Sequence, residues 1–111
     1  MDFESVAKKA LAFREERDWR QFHNSKDLAI SISLEASELL ELFQWSGADL
    51  EVVDNLERVR EELADVLIYC LYLADATGLD PIEIMEQKLA VNCAKYPVDA
   101  SRGTAKKYTE L

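Results

Sequence analysis

A chain of 111 residues that is 49% hydrophobic, with three Gly and two Pro, can bury a real core and carries too few turn signals for a strand-rich fold. Its net charge of −9 excludes nucleic acid as the main partner, because phosphate backbones are bound by surplus Lys and Arg. The longest unbroken apolar run, VLIYCLYLA at Val66–Ala74, is far short of a membrane span, and MDFESVAKK lacks a basic start leading into an apolar stretch. The expectation is a cytoplasmic, all-α protein that forms one domain over residues 1–111 and engages no membrane.

The first helix is expected to start after Asp2 and run through FESVAKKALAFREERDW, with Phe3, Val6, Ala10 and Phe13 as its apolar stripe and an end between Trp19 and Asn24. Ser25 is the candidate cap of a second helix that continues to about Trp45, where SGAD breaks the pattern. A third helix covers about Leu50 to Thr77 and is ended by Gly78; at 27 residues it would be about 40 Å long, against a radius of gyration near 13 Å for a domain of this size. From Val66 to Ala74 it is apolar nearly all round, so it predicts burial against a second copy in a homo-oligomer. Cys70 in that run and Cys93 in an amphipathic segment read as reduced, packed thiols. The fourth helix has the clearest start, with Asp80 as cap, Pro81 in the first turn and Glu83 at the third position. It reaches about Lys95, since Pro97 disfavours helix at the residue before it. Residues Val98 to Leu111 read as an irregular polar tail. The fold class is therefore a four-helix bundle-type subunit with an irregular C-terminal tail.

Carboxylates are threaded through the apolar pattern of the second helix, LEASELLELFQW. Winding at about 100° per residue places Glu35 on the margin of the apolar stripe and Glu38 one turn on. EELADVLIY repeats the arrangement on the third helix, where Glu62 and Asp65 are three apart and Tyr69 shares their face. Crowded, desolvated carboxylates repel unless they are protonated, paired or bound to a cation. An oxygen-only set suits Mg²⁺ or Mn²⁺, whereas zinc or iron recruits His or Cys, and the sole histidine, His23, lies outside both pairs. The alternative is that these acids pair with Arg58 and Arg60.

The charge is also uneven along the chain. Between Gln87 and Thr109 five basic residues face one acid. Lys88, Asn92 and Lys95 fall on one face of the fourth helix with Tyr96 beside them, a row that fits phosphate oxygens or is a plain solvated face. Trp19, Phe22, His23 and Trp45 lie near the ends of the first two helices, where flat side chains could sandwich a base or cover the core edge. A metal-chelated polyphosphate is the ligand that these features share.

Taken in order, ERDWRQFH, LEASELLELFQW, EELADVLIY, KLAVNCAKYP and KKYTEL resemble the MazG-like nucleotide pyrophosphohydrolases of the all-α NTP pyrophosphatase superfamily, most closely the dCTP pyrophosphatase branch. The resemblance implies a dimer or a tetramer of dimeric pairs that hydrolyses nucleoside triphosphates to the monophosphate and pyrophosphate with Mg²⁺. It implies metal-ligand roles for Glu35, Glu38, Glu62 and Asp65, phosphate contacts for Lys88, Asn92, Lys95 and Tyr96, and base or sugar contacts for Trp19, His23, Trp45 and Tyr69. Leu34 stands where many MazG proteins carry a further Glu, which favours the dCTP-like branch, while Ala10 aligns where that branch can carry a histidine. The rival readings are a di-iron bundle, which lacks its ExxH halves, and a regulatory oligomer that binds nucleotide or metal without turnover.

Overall fold

The computed structural model describes residues 1–111 as helices joined by turns, without strands. They are α1 (Phe3–Glu16), α2 (Ser25–Glu41), α3 (Leu56–Ala76), α4 (Pro81–Lys95) and α5 (Val98–Ser101), with short 3₁₀ turns at Arg20–Phe22, Val53–Asn55 and Tyr108–Glu110. The chain divides into two compact units, Met1–Gly78 and Leu79–Leu111.

In the first unit α3 packs along α2 and also meets α1. Helix α1 is fixed at its start by a capping box, in which Asp2 Oδ1 accepts from the Ser5 N–H at 2.8 Å while Ser5 Oγ accepts from the Asp2 N–H at 3.2 Å. It stops at Glu16, before the expected ERDW end, because Asp18 turns left-handed (φ 53°) and a 3₁₀ turn follows. The cap of α2 is Asn24, one residue before the expected Ser25, and its Oδ1 accepts from the Asp27 N–H at 2.9 Å. Helix α2 ends at Glu41 and not at Trp45; Leu42–Trp45 continue as single turns.

The largest departure from the sequence expectation is the start of α3. Leu50–Asn55 are not part of it, because Asp49 Oδ1 accepts from the N–H groups of Glu51 (3.2 Å) and Val52 (3.0 Å), closing a side-chain turn. Val52 is left-handed (φ 44°), a conformation that is costly for a β-branched residue and held here by burial of its side chain. Helix α3 thus has 21 residues and spans about 32 Å, shorter than the expected 40 Å. The fully or nearly buried side chains are few: Arg14, Leu28, Val52, Tyr72 and Ala74. Leu67 and Ile68 of the apolar run are exposed, and Cys70 and Cys93 are free and exposed where packed thiols were expected.

In the second unit, Asp80 caps α4 by accepting from the Ile82 and Glu83 N–H groups, with Pro81 at the first helical position. The expected irregular tail instead contains α5 and the 3₁₀ turn at Tyr108–Glu110, joined through a left-handed Gly103 (φ 76°).

Candidate functional site

The i, i+3 spacing of acids on two packed helices has a direct geometric result. Carboxylate oxygens of Glu35, Glu62 and Asp65 all lie within 4.8 Å of one another, and Glu38 lies against both Glu35 and Glu62. The alternative pairing with Arg58 or Arg60 is not made: Arg60 pairs with Glu57 at 3.0 Å, and no ion pair neutralises the cluster. Burial raises the Glu35 carboxyl most, followed by the hydrogen bond with Glu38 and the charges of Glu38, Asp65 and Glu62, so that it is pushed up to about 7. The Glu62 carboxyl is also raised, first by its hydrogen bond with Glu38.

Oε2 of Glu35 and Oε2 of Glu62 are buried without a hydrogen-bond partner. Buried acceptors are normally satisfied, and an oxygen-only group of three or four carboxylates is what a hard divalent cation satisfies. The donor set therefore fits such an ion.

Beside the cluster lies a cavity of about 380 Å³ between α1 and α3, which Asp65 shares with Phe13, Trp19, Tyr69 and Tyr72. These rings form a connected set: Phe13 meets Trp19 edge-on at 5.7 Å, Trp19 lies 6.4 Å from His23, and His23 lies 6.3 Å from Tyr69 and 5.2 Å from Tyr72. Apart from Asp65 and Lys9 the walls are apolar and aromatic, so the cavity suits a flat heterocycle next to a charged group held by the acids. Burial pushes the His23 imidazole below its usual range and the Arg14 charge adds to this, both favouring the neutral ring.

Three of the four expected base or sugar residues, Trp19, His23 and Tyr69, are thus brought together. Trp45 is not: it is 88% exposed and lines a separate cavity with Glu41, Asp49 and Asn55. Phe22, the remaining aromatic of that sequence group, is 62% exposed and takes no part in the ring set. The residues that sequence reading missed are Phe13, which it placed only in the apolar stripe, and Tyr72 and Arg14. Tyr72 was hidden inside the apolar run, and only its position three residues after Tyr69 signals a shared face.

In the second unit the cationic row occupies the C-terminal half of α4. Lys88 is exposed, whereas Asn92 and Lys95 are half-buried. Lys95 Nζ lies 4.7 Å over the Tyr108 ring, and Tyr108 meets Tyr96 edge-on at 6.0 Å. The C-terminal turn therefore folds back onto the residues that end α4.

The MazG-like family model matches residues 30–111. The chain is 38% identical to mouse dCTP pyrophosphatase 1 over 113 aligned positions and 36% identical to the human protein over 114; each match covers 97% of this chain and 66% of the relative. It thus spans slightly less than two-thirds of the length of those relatives. A crystal structure of a pyrophosphatase from Archaeoglobus fulgidus superposes with a TM-score of 0.78 and 44% identity, covering 85% of this chain and 91% of that one. With Glu35 and Glu38 of α2 and the whole of α3 inside the matched region, the chain belongs to the MazG-like family.

Proposed function

We propose that the protein is a nucleoside triphosphate pyrophosphohydrolase that cleaves dCTP or a related pyrimidine deoxynucleotide to the monophosphate and pyrophosphate, clearing such triphosphates from the nucleotide pool. The observation that supports it most is the juxtaposition of an unneutralised four-carboxylate cluster and an aromatic cavity that share Asp65. The likeness to the dCTP pyrophosphatases and to the archaeal pyrophosphatase points the same way.

Glu35, Glu38, Glu62 and Asp65 are the residues to hold Mg²⁺, with Mn²⁺ as substitute. Bound there, the cation supplies Lewis-acid neutralisation of phosphate charge and lowers the pKa of water. No ion pair ties up the cluster, the Arg58 charge only partly offsetting the rise at Glu62, so its carboxylates are free both to ligate and to accept a proton from the attacking water. Trp19 and Tyr69 offer ring faces to the base, and the neutral His23 can donate or accept a hydrogen bond at its edge. Because stacking is tolerant of base identity, at about 1–3 kcal/mol for any base, the choice of base rests on such polar contacts. Lys88, Asn92, Lys95 and Tyr96 are assigned to the polyphosphate from their register on α4 and their match to the family's motif. No protein nucleophile is required.

We assign the working unit to a homo-oligomer, a dimer or a tetramer, formed by one domain per chain. Leu34, Leu40, Leu63 and Leu67 are exposed on α2 and α3, the two elements that bear the acids. Trp45, which stands apart from the ring set of its own chain, is then available to a neighbouring copy.

The test is incubation of the purified protein with dCTP and Mg²⁺, with both products quantified by ion-exchange chromatography. Equimolar dCMP and pyrophosphate are expected. Saturable dCTP binding without turnover would favour the regulatory reading instead.

A further inference from the structure

The least expected interior residue is a cation. Arg14 is 1% exposed, in a chain whose other buried side chains are apolar or aromatic. Its Nη2 donates to Asp75 Oδ2 at 2.9 Å and to Glu15 Oε1 at 2.8 Å, and Arg20 shares both acids, at 2.8 Å from Glu15 and 3.6 Å from Asp75. Two acids and two guanidiniums balance, which removes the electrostatic objection to burial. A clamp between α1 and α3 would need no more than this pairing, yet the guanidinium also lies 5.5 Å over the Tyr72 ring.

Tyr72 is held at its other end too, because its hydroxyl donates to the Ala10 carbonyl at 2.9 Å. The ring is 4% exposed and so cannot turn without breaking one of the two contacts. His23 lies tilted by 31° at 5.2 Å on it, and Tyr69 meets it edge-on at 86° and 6.1 Å. Neither His23 nor Tyr69 has a side-chain hydrogen bond of its own within the chain, and His23 Nδ1 is buried without a partner. The orientation of both therefore depends on the ring between them.

We propose that Arg14 is a positioning residue: through its hold on Tyr72 it sets the pose of His23 and Tyr69 against the base of the nucleotide. This rests on the reading of His23 and Tyr69 as base-facing residues. The charged and titratable groups around His23 are Arg14 and Glu15 of α1, Arg20 of the following turn, and Tyr69, Tyr72 and Asp75 of α3. Of these, the Arg14 charge holds the imidazole below its usual range, second to burial.

The experiment compares Arg14→Met, Arg14→Lys and Tyr72→Phe in the full chain. Since His23 is the sole histidine, its ring protons report its titration without ambiguity in the free protein. For Arg14→Met the His23 midpoint moves upward, and KM for dCTP rises about tenfold with kcat within about twofold, the pattern of lost binding without lost chemistry. Arg14→Lys restores the low midpoint but only part of the KM, because an ammonium supplies charge without the planar fork. Tyr72→Phe loses only the Ala10 bond; it carries the test if Arg14→Met does not fold, with KM about threefold up and the His23 ring lines displaced. A folded Arg14→Met with wild-type KM and His23 midpoint would overturn the proposal. So would a fall in apparent kcat in proportion to lost folded protein, with wild-type KM, in all three variants. His23→Ala separates the two levels: wild-type KM there would remove His23 from the base end, while the midpoint in Arg14→Met judges the hold of Arg14 on it in either case.

Discussion

Replacing Glu35 by Gln should stabilise the metal-free protein while destroying its activity. The folded-state carboxyl is raised from 4.5 to about 7, by burial first and then by Glu38, Asp65 and Glu62. An acid with a raised folded-state pKa binds its proton more tightly when folded than when unfolded. Its favourable contribution is therefore complete below about 4.5 and is lost as the pH rises through about 7. A shift of that size corresponds to about 3 kcal/mol, and half-burial with solvent screening reduces it to about 1–2 kcal/mol. For a chain of this length that is about 5–10 °C in Tm. Glu35→Gln keeps the volume and removes the charge, so at pH 8 in EDTA its Tm should exceed that of the wild type by about that amount, with the difference vanishing near pH 4.5. Differential scanning calorimetry across this range reads it directly, with the oligomeric state checked at each pH. A Tm at pH 8 equal to or below that of the wild type would refute the claim that the cluster is electrostatically strained.

Glu38→Gln or Asp65→Asn is expected to abolish hydrolysis with unchanged far-ultraviolet circular dichroism, since each removes an anionic ligand without removing volume; rates within threefold of wild type for both would remove the cluster from the mechanism. Addition of Mg²⁺ should raise the wild-type Tm at pH 8 and leave Glu35→Gln less affected, because the cation relieves the same repulsion; an equal shift in both would place binding elsewhere. Light scattering at micromolar concentration should give a mass of at least twice 12.7 kDa, and a stable 12.7 kDa species would contradict the oligomer. Among dCTP, dTTP, dUTP, dATP and dGTP, the pyrimidines should have the highest kcat/KM; a purine at the top would refute the base assignment and spare the reaction.

The carboxylate cluster was legible in the sequence because two i, i+3 acid pairs on neighbouring helices leave little freedom: once α2 and α3 pack, the pairs converge. The end of α2 and start of α3 were not, since Leu50, Val52 and Val53 continue a helical apolar pattern. What breaks it is a side-chain turn at Asp49 and a left-handed Val52, which no periodicity encodes. The aromatic set was legible in part. Trp19 and His23 stood out near the helix ends, and Tyr69 by sharing the face of Glu62 and Asp65, whereas Tyr72 was indistinguishable from its apolar neighbours and Arg14 from a surface charge. The exposure of Cys70 and Leu67 was missed because an apolar run predicts burial without saying against which partner.

The central claim is that water attacks the α-phosphorus of a nucleoside triphosphate held at the Glu35–Glu38–Glu62–Asp65 cluster. Turnover of dCTP with Mg²⁺ in H₂¹⁸O, followed by ³¹P NMR of the products, tests it directly. The account predicts dCMP and pyrophosphate as first products, with the ¹⁸O-induced shift on the dCMP resonance alone. Label in pyrophosphate, or orthophosphate and dCDP as first products, would contradict it.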